Sequence, residues 1–145
     1  MSFLSALNIS GSALTAQKYR MDVISQNIAN SNTTKTADGG PYRRKLVVLE
    51  EQKNSSFQNV LSDTMQSSIV GGVRVSEVVE DDTPFTAVYN PNHPDANEEG
   101  YVMMPNVNST EEMLDLMSAS TAYDANITAL NALKAMAASA LKIGK

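Results

Sequence analysis

The stretch DANEEG, residues 95–100, places oxygen-bearing side chains at alternate positions, as the first half of a calcium-binding loop does. Asp95, Asn97 and Glu99 could act as ligands, and Gly100 could form the sharp turn. Such a loop also needs a bidentate Glu at its twelfth position, which here is Asn106, and a helix on either side. We therefore interpret the stretch as an acidic turn and predict no metal site.

Other residue types that could do chemistry occur without the partners that they would need. EVVEDD, residues 77–82, could bind a divalent ion weakly, but a solvated strand end is the simpler interpretation. His93 is the only histidine, and no Ser–His–Asp spacing accompanies it. The 145 residues include no cysteine, which excludes disulfides, zinc thiolate sites and cysteine nucleophiles. We predict no catalytic residue and no cofactor, and hence a protein that is not an enzyme.

The distribution of charge argues against nucleic acid as a partner. The formal net charge is −5, and eleven carboxylates but no Lys or Arg lie between Arg74 and Lys134. Arg43, Arg44 and Lys45 form the one basic cluster, which is too small to bind a phosphate backbone. No stretch approaches the ~20 apolar residues that span a bilayer, so we also expect no direct membrane insertion. The first 30 residues lack the features of a cleaved secretory signal.

Two long segments at the ends of the chain have helical patterns and would position any functional surface of the protein. The first, from about Phe3 to Asn30, has an apolar residue at every seventh position, a repeat that favours a packed helix pair. The repeat consists of Leu7, Leu14, Met21 and Ile28, with Ile24 beside it. The polar face is rich in Asn, Ser and Thr and poor in charge, unlike a face meant for bulk water.

The second segment, from about Ser109 to Ile143, is the clearest helix in the sequence. Ser109 and Glu112 have the spacing of a capping box. One apolar stripe includes Leu116, Tyr123, Ile127, Leu130 and Leu141, and a second includes Leu133 and Met136. Two stripes require cover from more than one side. At ~1.5 Å per residue the helix would be about 50 Å long, more than the diameter of a compact domain of this size.

The middle of the chain has short Val-rich runs between turns. Residues 45–50, 72–79 and 86–89 read as strands. We therefore predict an α+β fold, with the terminal helices packed as an antiparallel, coiled-coil-like hairpin and a small β-rich middle region. The predicted organisation is paired terminal helices over 1–34 and 105–145, and a β-rich region over 35–104 with a mobile loop near 52–70.

Five motifs, in this order along the chain, carry a resemblance to a known family. They are SALTAQ (12–17), NIANSNT (27–33), GGPYRRK (39–45), EGYVMMPNV (99–107) and YDANITALNALKAMAASALKIGK (123–145). Together they resemble the flagellar basal-body rod proteins, and among these most closely the proximal-rod proteins, because the middle region is short. The resemblance covers nearly the whole chain and is thinnest from Gln52 to Val70.

The resemblance implies a structural subunit that polymerises through its terminal helices into a hollow helical drive shaft. It implies export through the flagellar type III apparatus without a cleaved signal peptide, and residence in the basal body of the flagellum. The implied partners are copies of the chain, other rod proteins, the MS ring and the export apparatus. From the stripes and the family motifs together we predict a subunit interface that includes Leu7, Leu14, Met21, Ile24, Asn27, Ile28, Asn30, Thr33, Leu116, Tyr123, Asn126, Ile127, Leu130, Leu133 and Leu141.

One alternative of a different class remains open from the residues alone. A soluble two-helix adaptor or regulatory module could bind a single partner through the same stripes. Such a module would form a small, defined complex with helices that are stable in solution, whereas a polymer subunit would keep open surface for its neighbours.

Overall fold

The computed structural model describes residues 3–37, 39–52 and 71–143 of the chain. Within these described residues, two long helices flank four short strands along the sequence, which confirms the predicted α+β class with its small strand-containing middle. The elements are α1 Phe3–Ala29, β1 Lys45–Glu51, β2 Val73–Glu80, β3 Thr86–Tyr89, β4 Tyr101–Met104 and α2 Ser109–Ile143. The predicted loop near 52–70 lies outside the described residues, apart from its first residue.

The strands form two separate antiparallel pairs. At one end of the β1–β2 pair the backbone amide of Asp81 donates to the carbonyl of Arg44 (2.8 Å), and at the other end Gln52 donates to Gly72 (2.7 Å). In the second pair, β3 and β4 are aligned so that Tyr89 faces Tyr101. The strand-like run that follows the acidic turn in the sequence forms β4, for which the pattern alone gives no bounds because the strand is only four residues long.

The loop between β3 and β4 contains the stretch that resembles half of a calcium site. Asn97 Oδ1 accepts hydrogen bonds from the backbone amides of Glu99 (3.1 Å) and Tyr101 (2.8 Å). Gly100 has a φ of +81°, and a Cβ there would lie 2.9 Å from the ring of Tyr89. The Asn97 side-chain oxygen and Gly100 therefore build the turn of a hairpin. Within the described residues, no group of three or more His, Cys, Asp or Glu side chains could hold a metal ion.

The chain divides by its internal contacts into two compact units. The first consists of Met1–Tyr19, Leu49–Ser76 and Ala119–Lys145. In it, Ser12 Oγ accepts a hydrogen bond from the backbone amide of Val73 (3.1 Å) and donates one to the carbonyl of Ile9 (2.8 Å). The backbone of Gly72 lies close to the Ser12 side chain, since a Cβ on Gly72 would lie 2.1 Å from Ser12 Oγ. Among the described residues of this unit, Ala16 and Ala119 are the buried apolar ones.

The second unit consists of Arg20–Val48 and Glu77–Ser118. Here the end of α1 lies beside the start of α2, with Arg20 3.4 Å from Asp115 and Asn27 2.9 Å from Glu112. The two segments run antiparallel, because the later residue of α1 meets the earlier residue of α2. Coiled-coil packing along the full length of the helices stays a prediction. The buried apolar residues of this unit are Val23, Ile24, Tyr42 and Val102.

The capping of α2 differs from the prediction, although the helix begins at Ser109 as predicted. Asn108 Oδ1 accepts the backbone amide of Thr110 (3.1 Å), so Asn108 is the N-cap residue. The capping box predicted from Ser109 and Glu112 is wrong, because the Glu112 carboxylate is bound to tertiary partners instead. Within the described residues, none of the helices is long and apolar enough to cross a membrane.

Candidate subunit interface

The fifteen residues predicted for the interface differ widely in solvent exposure. Leu141 is the most exposed at 78%, and Ile127 is 36% exposed. Ile24 and Asn27 are buried in the second unit, at 5% and 1%. The others are partly exposed: Leu7, Leu14, Met21, Ile28, Asn30, Thr33, Leu116, Tyr123, Asn126, Leu130 and Leu133. Their role in an interface stays a prediction.

Asn27 satisfies every hydrogen-bonding position of its side-chain amide inside the chain. Its Nδ2 donates to the carbonyl of Lys45 (2.9 Å) and to Glu112 Oε2 (2.9 Å). Its Oδ1 accepts the backbone amide of Lys45 (3.0 Å) and the hydroxyl of Tyr42 (2.9 Å). The two bonds to the Lys45 backbone fix which way the amide points, because an N–H can only donate. Asn27 therefore joins the end of α1 to the start of β1 and to α2.

Glu112 is a buried carboxylate, only 1% exposed, with both of its oxygens engaged. Oε1 accepts a short hydrogen bond from Arg44 Nε (2.6 Å), and Oε2 accepts from Asn27. A buried charge is tolerated when it is paired and hydrogen-bonded. Its place in the first turn of α2 adds the favourable field of the helix N-terminus.

Arg44 connects α2 to the end of β2. Besides Glu112, its guanidinium lies 3.5 Å from Asp81 Oδ2 and 3.7 Å from Asp115 Oδ2. Burial lowers the pKa of Arg44, but the hydrogen bond and charge of Glu112, with those of Asp81, outweigh it and raise the pKa above its usual value. The pKa of Asp81 is lowered, chiefly because Oδ1 accepts the backbone amide of Thr83 (3.0 Å), with a smaller effect of Arg44.

Asn106 closes the same cluster from the segment before α2. Its Oδ1 accepts the backbone amide of Arg44 (2.8 Å), and its Nδ2 lies within 3.2 Å of the carbonyls of Asp81 and Thr83. We call Asn27, Tyr42, Arg44, Asp81, Asn106 and Glu112 the polar network. Burial, followed by the charges of Glu112 and Glu80, raises the pKa of Tyr42, which therefore stays protonated and donates.

The other residues of the asparagine-rich motif close the end of α1. The Asn30 side chain donates to the carbonyl of Gln26 (2.9 Å), and Thr33 Oγ1 lies 3.2 Å from Asn30 Oδ1. The backbone carbonyl of Thr33 then accepts the amide of Tyr42 (3.0 Å). Thus Asn27 serves tertiary contacts, whereas Asn30 and Thr33 satisfy groups at the helix end.

Large apolar side chains lie exposed on both terminal helices. On α1, Leu4 is 67% exposed. On the early part of α2, Met113, Leu114 and Met117 are 55–67% exposed, and on its later part Met136 is 59% exposed. Single exposed apolar residues are ordinary, but several on the same helix suit contact with another molecule.

Sequence reasoning missed most of the polar network. By sequence, Arg44 is part of a basic cluster and Glu112 has the spacing of a capping residue. The one available signal is the basic cluster itself, in a chain with a long acidic segment. The partners themselves could not be read, since Arg44 and Glu112 are 68 positions apart.

Comparison with known proteins gives two family-model matches and full-length relatives. Residues 7–35 match the model described as "Flagella basal body rod protein", and residues 98–143 match "Flagellar basal body rod FlgEFG protein C-terminal". The chain is 49% identical to the flagellar basal-body rod protein FlgC of Bacillus subtilis, with both chains covered completely. It is 44% identical to FlgC of Borreliella burgdorferi, over 99% of this chain and 98% of the relative. It is 41% identical to FlgC of Escherichia coli O157:H7, again over both whole chains.

Proposed function

This chain belongs to the flagellar basal-body rod protein FlgC family, and we propose that it polymerises through its terminal helices into the hollow proximal rod that transmits motor torque. Its role is that of a structural subunit of the flagellar basal body. The relatives carry the names of rod proteins, and we propose that this chain has no catalytic activity.

The exposed apolar surface of the terminal helices is the observation that carries this proposal. Leu4 on α1, with Leu114 and Leu141 on α2, are each more than 60% exposed. Covering a leucine side chain contributes about 1.5–3 kcal/mol. Neighbouring subunits that cover such residues repeatedly would assemble without any one contact being strong. Contacts of this head-to-tail kind generate a helical polymer when they do not close into a ring.

The polar network supports the same function mechanically. It binds the end of α1, the start of β1, the end of β2 and the start of α2 through charge-assisted and buried hydrogen bonds. Such bonds are directional, so small displacements of one segment against another cost energy. A subunit built around this cluster would carry a twisting load in its second unit without sliding between segments.

We further propose that the chain contacts other rod proteins, the MS ring and the flagellar type III export apparatus, and that it is exported without a cleaved signal peptide. The observation in support is the family membership.

The test places a tagged chain in a motile bacterium that lacks its own copy and asks whether the chain is present in isolated basal bodies. Leu141→Glu puts a charge on a strongly exposed apolar site of α2 (78%) and is expected to reduce incorporation and swimming. Met103→Glu is the matched control, since Met103 is also exposed (53%) but lies on β4 rather than on a terminal helix.

The parent chain is expected in basal bodies, with Leu141→Glu depleted and Met103→Glu retained. A parent chain that is absent from basal bodies and recovered as a small, defined soluble complex would support the adaptor function instead. Equal loss from both variants would show that the terminal helices are not the principal contact.

A further inference from the structure

Strand β3 has an edge that no neighbouring strand covers. Among the described residues, β3 pairs only with β4, and all four of its residues, from Thr86 to Tyr89, are exposed. A strand at the edge of a sheet presents backbone N–H and C=O groups that can pair with another chain. Which of these groups point outward follows from the way in which β3 pairs with β4.

The backbone groups of Tyr89 point away from β4. In an antiparallel pair, facing residues either exchange two hydrogen bonds or direct their groups away from each other, in alternation. Tyr101, which faces Tyr89, is of the second kind, because its amide donates to Asn97 Oδ1 (2.8 Å) and its carbonyl accepts the Asn97 amide (2.9 Å). The next pair then exchanges bonds, and the Asn90 amide does donate to the carbonyl of Gly100 (2.9 Å).

The same alternation turns the backbone of Ala87 outward, since it lies two residues before Tyr89. Within the described residues, no group of the chain bonds to the outward N–H and C=O groups of Ala87 and Tyr89. The edge of β4 differs, because Asn97 binds both outward groups of Tyr101. The outer edge of β3 therefore offers two donors and two acceptors spaced for an extended strand.

The Tyr89 side chain adds apolar area beside this edge. It is 64% exposed, and its ring packs edge-to-face against the Tyr101 ring, with the centroids 5.3 Å apart. Aromatic side chains interact favourably with those of an adjacent strand on the same face of a sheet. An added strand would therefore gain side-chain contacts as well as backbone hydrogen bonds.

Exposed carboxylates lie along the chain beyond both ends of β3. Asp82 precedes the strand, and Glu98 and Glu99 lie in the loop that joins β3 to β4. The sequence has no Lys or Arg between Arg74 and Lys134, so the segments next to β3 supply no cation of their own. The surroundings of this edge therefore complement a positive charge.

We propose that the outer edge of β3 binds an extended segment of another protein, which adds to the sheet as a third strand and has basic residues on either side of the paired stretch. The backbone groups of Ala87 and Tyr89 provide the affinity, as in β-strand addition generally. Asp82 attracts the basic residue at one end, and Glu98 and Glu99 attract the one at the other. The contact is independent of assembly through the terminal helices, because it uses no residue of α1 or α2.

A second copy of the chain fits this description less well. Two β3 edges brought together would place like charges near each other, which opposes association. The chain's own basic cluster is engaged inside the second unit. Arg43 lies over the Phe85 ring and donates to the carbonyl of Asp81 (2.9 Å), and Arg44 donates to Glu112 (2.6 Å). Both observations favour a different protein as the occupant.

Amide hydrogen exchange of the full chain, resolved by residue with NMR, tests the proposal. The probe is the synthetic peptide KTVTVTK, blocked at both ends. At about 1 mM peptide the Ala87 and Tyr89 amides are expected to exchange about tenfold more slowly, which corresponds to a Kd of about 0.1 mM. The Val88 amide, which pairs with β4, is the internal control and should change much less.

One variant removes an outward donor and leaves the pairing with β4 in place. Ala87→Pro has no N–H at a position whose N–H does not face β4, and proline is accepted on edge strands. The loss of one hydrogen bond should weaken peptide binding by about fivefold or more. Ala87→Ser keeps the N–H and is the matched control, which should bind the peptide as the parent does.

Two changes to the peptide test the same bonds without altering the protein. Peptides methylated at either the threonine or the valine backbone nitrogens lose alternate donors, so at most one of the two should bind. The acidic peptide ETVTVTE should bind more weakly than KTVTVTK, by roughly two- to fivefold per ion pair.

Each remaining outcome contradicts a stated part of the proposal. No slowing at the Ala87 and Tyr89 amides with KTVTVTK, or equal binding of all the methylated peptides, would overturn strand addition to β3. Equal binding of KTVTVTK and ETVTVTE would overturn the basic character of the occupant. A dimer of the purified chain in which these two amides are protected without peptide would identify a second copy as the occupant instead.

Discussion

Replacing Asn27 by Ala removes a buried side chain that connects three segments of the polar network. Four hydrogen bonds of 2.9–3.0 Å are lost. At a net ~1 kcal/mol each, the loss is about 4 kcal/mol. The better helix propensity of Ala returns up to ~0.7 kcal/mol, so we expect a net loss of about 3 kcal/mol. Because domains are commonly stable by only ~5–15 kcal/mol, this loss would be large.

Urea unfolding of the purified chain, followed by far-ultraviolet circular dichroism, measures the free energy of unfolding. Amide hydrogen exchange adds a residue-specific readout: the backbone amide of Lys45 donates to Asn27 Oδ1, so Asn27→Ala should deprotect that amide in particular. The other amides of β1 that pair with β2 should be affected less.

Asn30→Ala is the matched control, three residues away in the same motif. Its side chain makes one bond to Gln26 and one to Thr33, both near the surface. We expect a loss of about 1 kcal/mol. If Asn27→Ala destabilises the chain no more than Asn30→Ala does, and the Lys45 amide keeps its protection, then Asn27 does not hold these segments together and the reasoning is wrong.

Two further predictions concern the first unit and the response to acid. Gly72→Ala would place a Cβ 2.1 Å from Ser12 Oγ and is expected to lower the free energy of unfolding by about 1–3 kcal/mol. Gly11→Ala, whose Cβ would have nothing within 4 Å, should raise the free energy of unfolding by up to ~1 kcal/mol. Urea titrations of the two variants measure this difference. Asp81, whose pKa is lowered mainly by the Thr83 amide, contributes stability above the unfolded pKa of ~3.9 that is lost as the pH falls through its native pKa. Asp81→Asn should therefore show a smaller loss of stability below pH ~4 than the parent in urea titrations across pH, and equal slopes would contradict this assignment.

The elements of the fold could be predicted where the sequence pattern is long and regular. The predicted segment from Ser109 to Ile143 matches α2, and the predicted end of the first helix lies one residue beyond Ala29. The run after the acidic turn is strand-like in sequence, but the bounds of β4 could not be predicted in the same way, because its pairing with β3 across a loop defines them.

The polar network could not be predicted because its bonds join residues far apart in the sequence. By its local spacing, Glu112 could serve as a capping residue and accept a backbone N–H at the start of the helix. In the folded chain, Asn108 caps the helix and Arg44 provides a charge partner for Glu112, which is worth more to a buried carboxylate. The Glu112 carboxylate therefore binds tertiary partners rather than the N-terminus of its own helix.

The contact between Asn27 and position 45 has a consequence for how the sequence can vary. Asn27 binds the backbone amide and carbonyl of Lys45, not its side chain. Side chains at position 45 can therefore be exchanged without breaking these two bonds, with proline as the exception because it has no N–H. Asn27 itself has no equivalent substitute: Asp lacks the donor, and Gln is longer by one methylene. Substitutions at position 45 would therefore keep the contact, whereas substitutions at position 27 would break it.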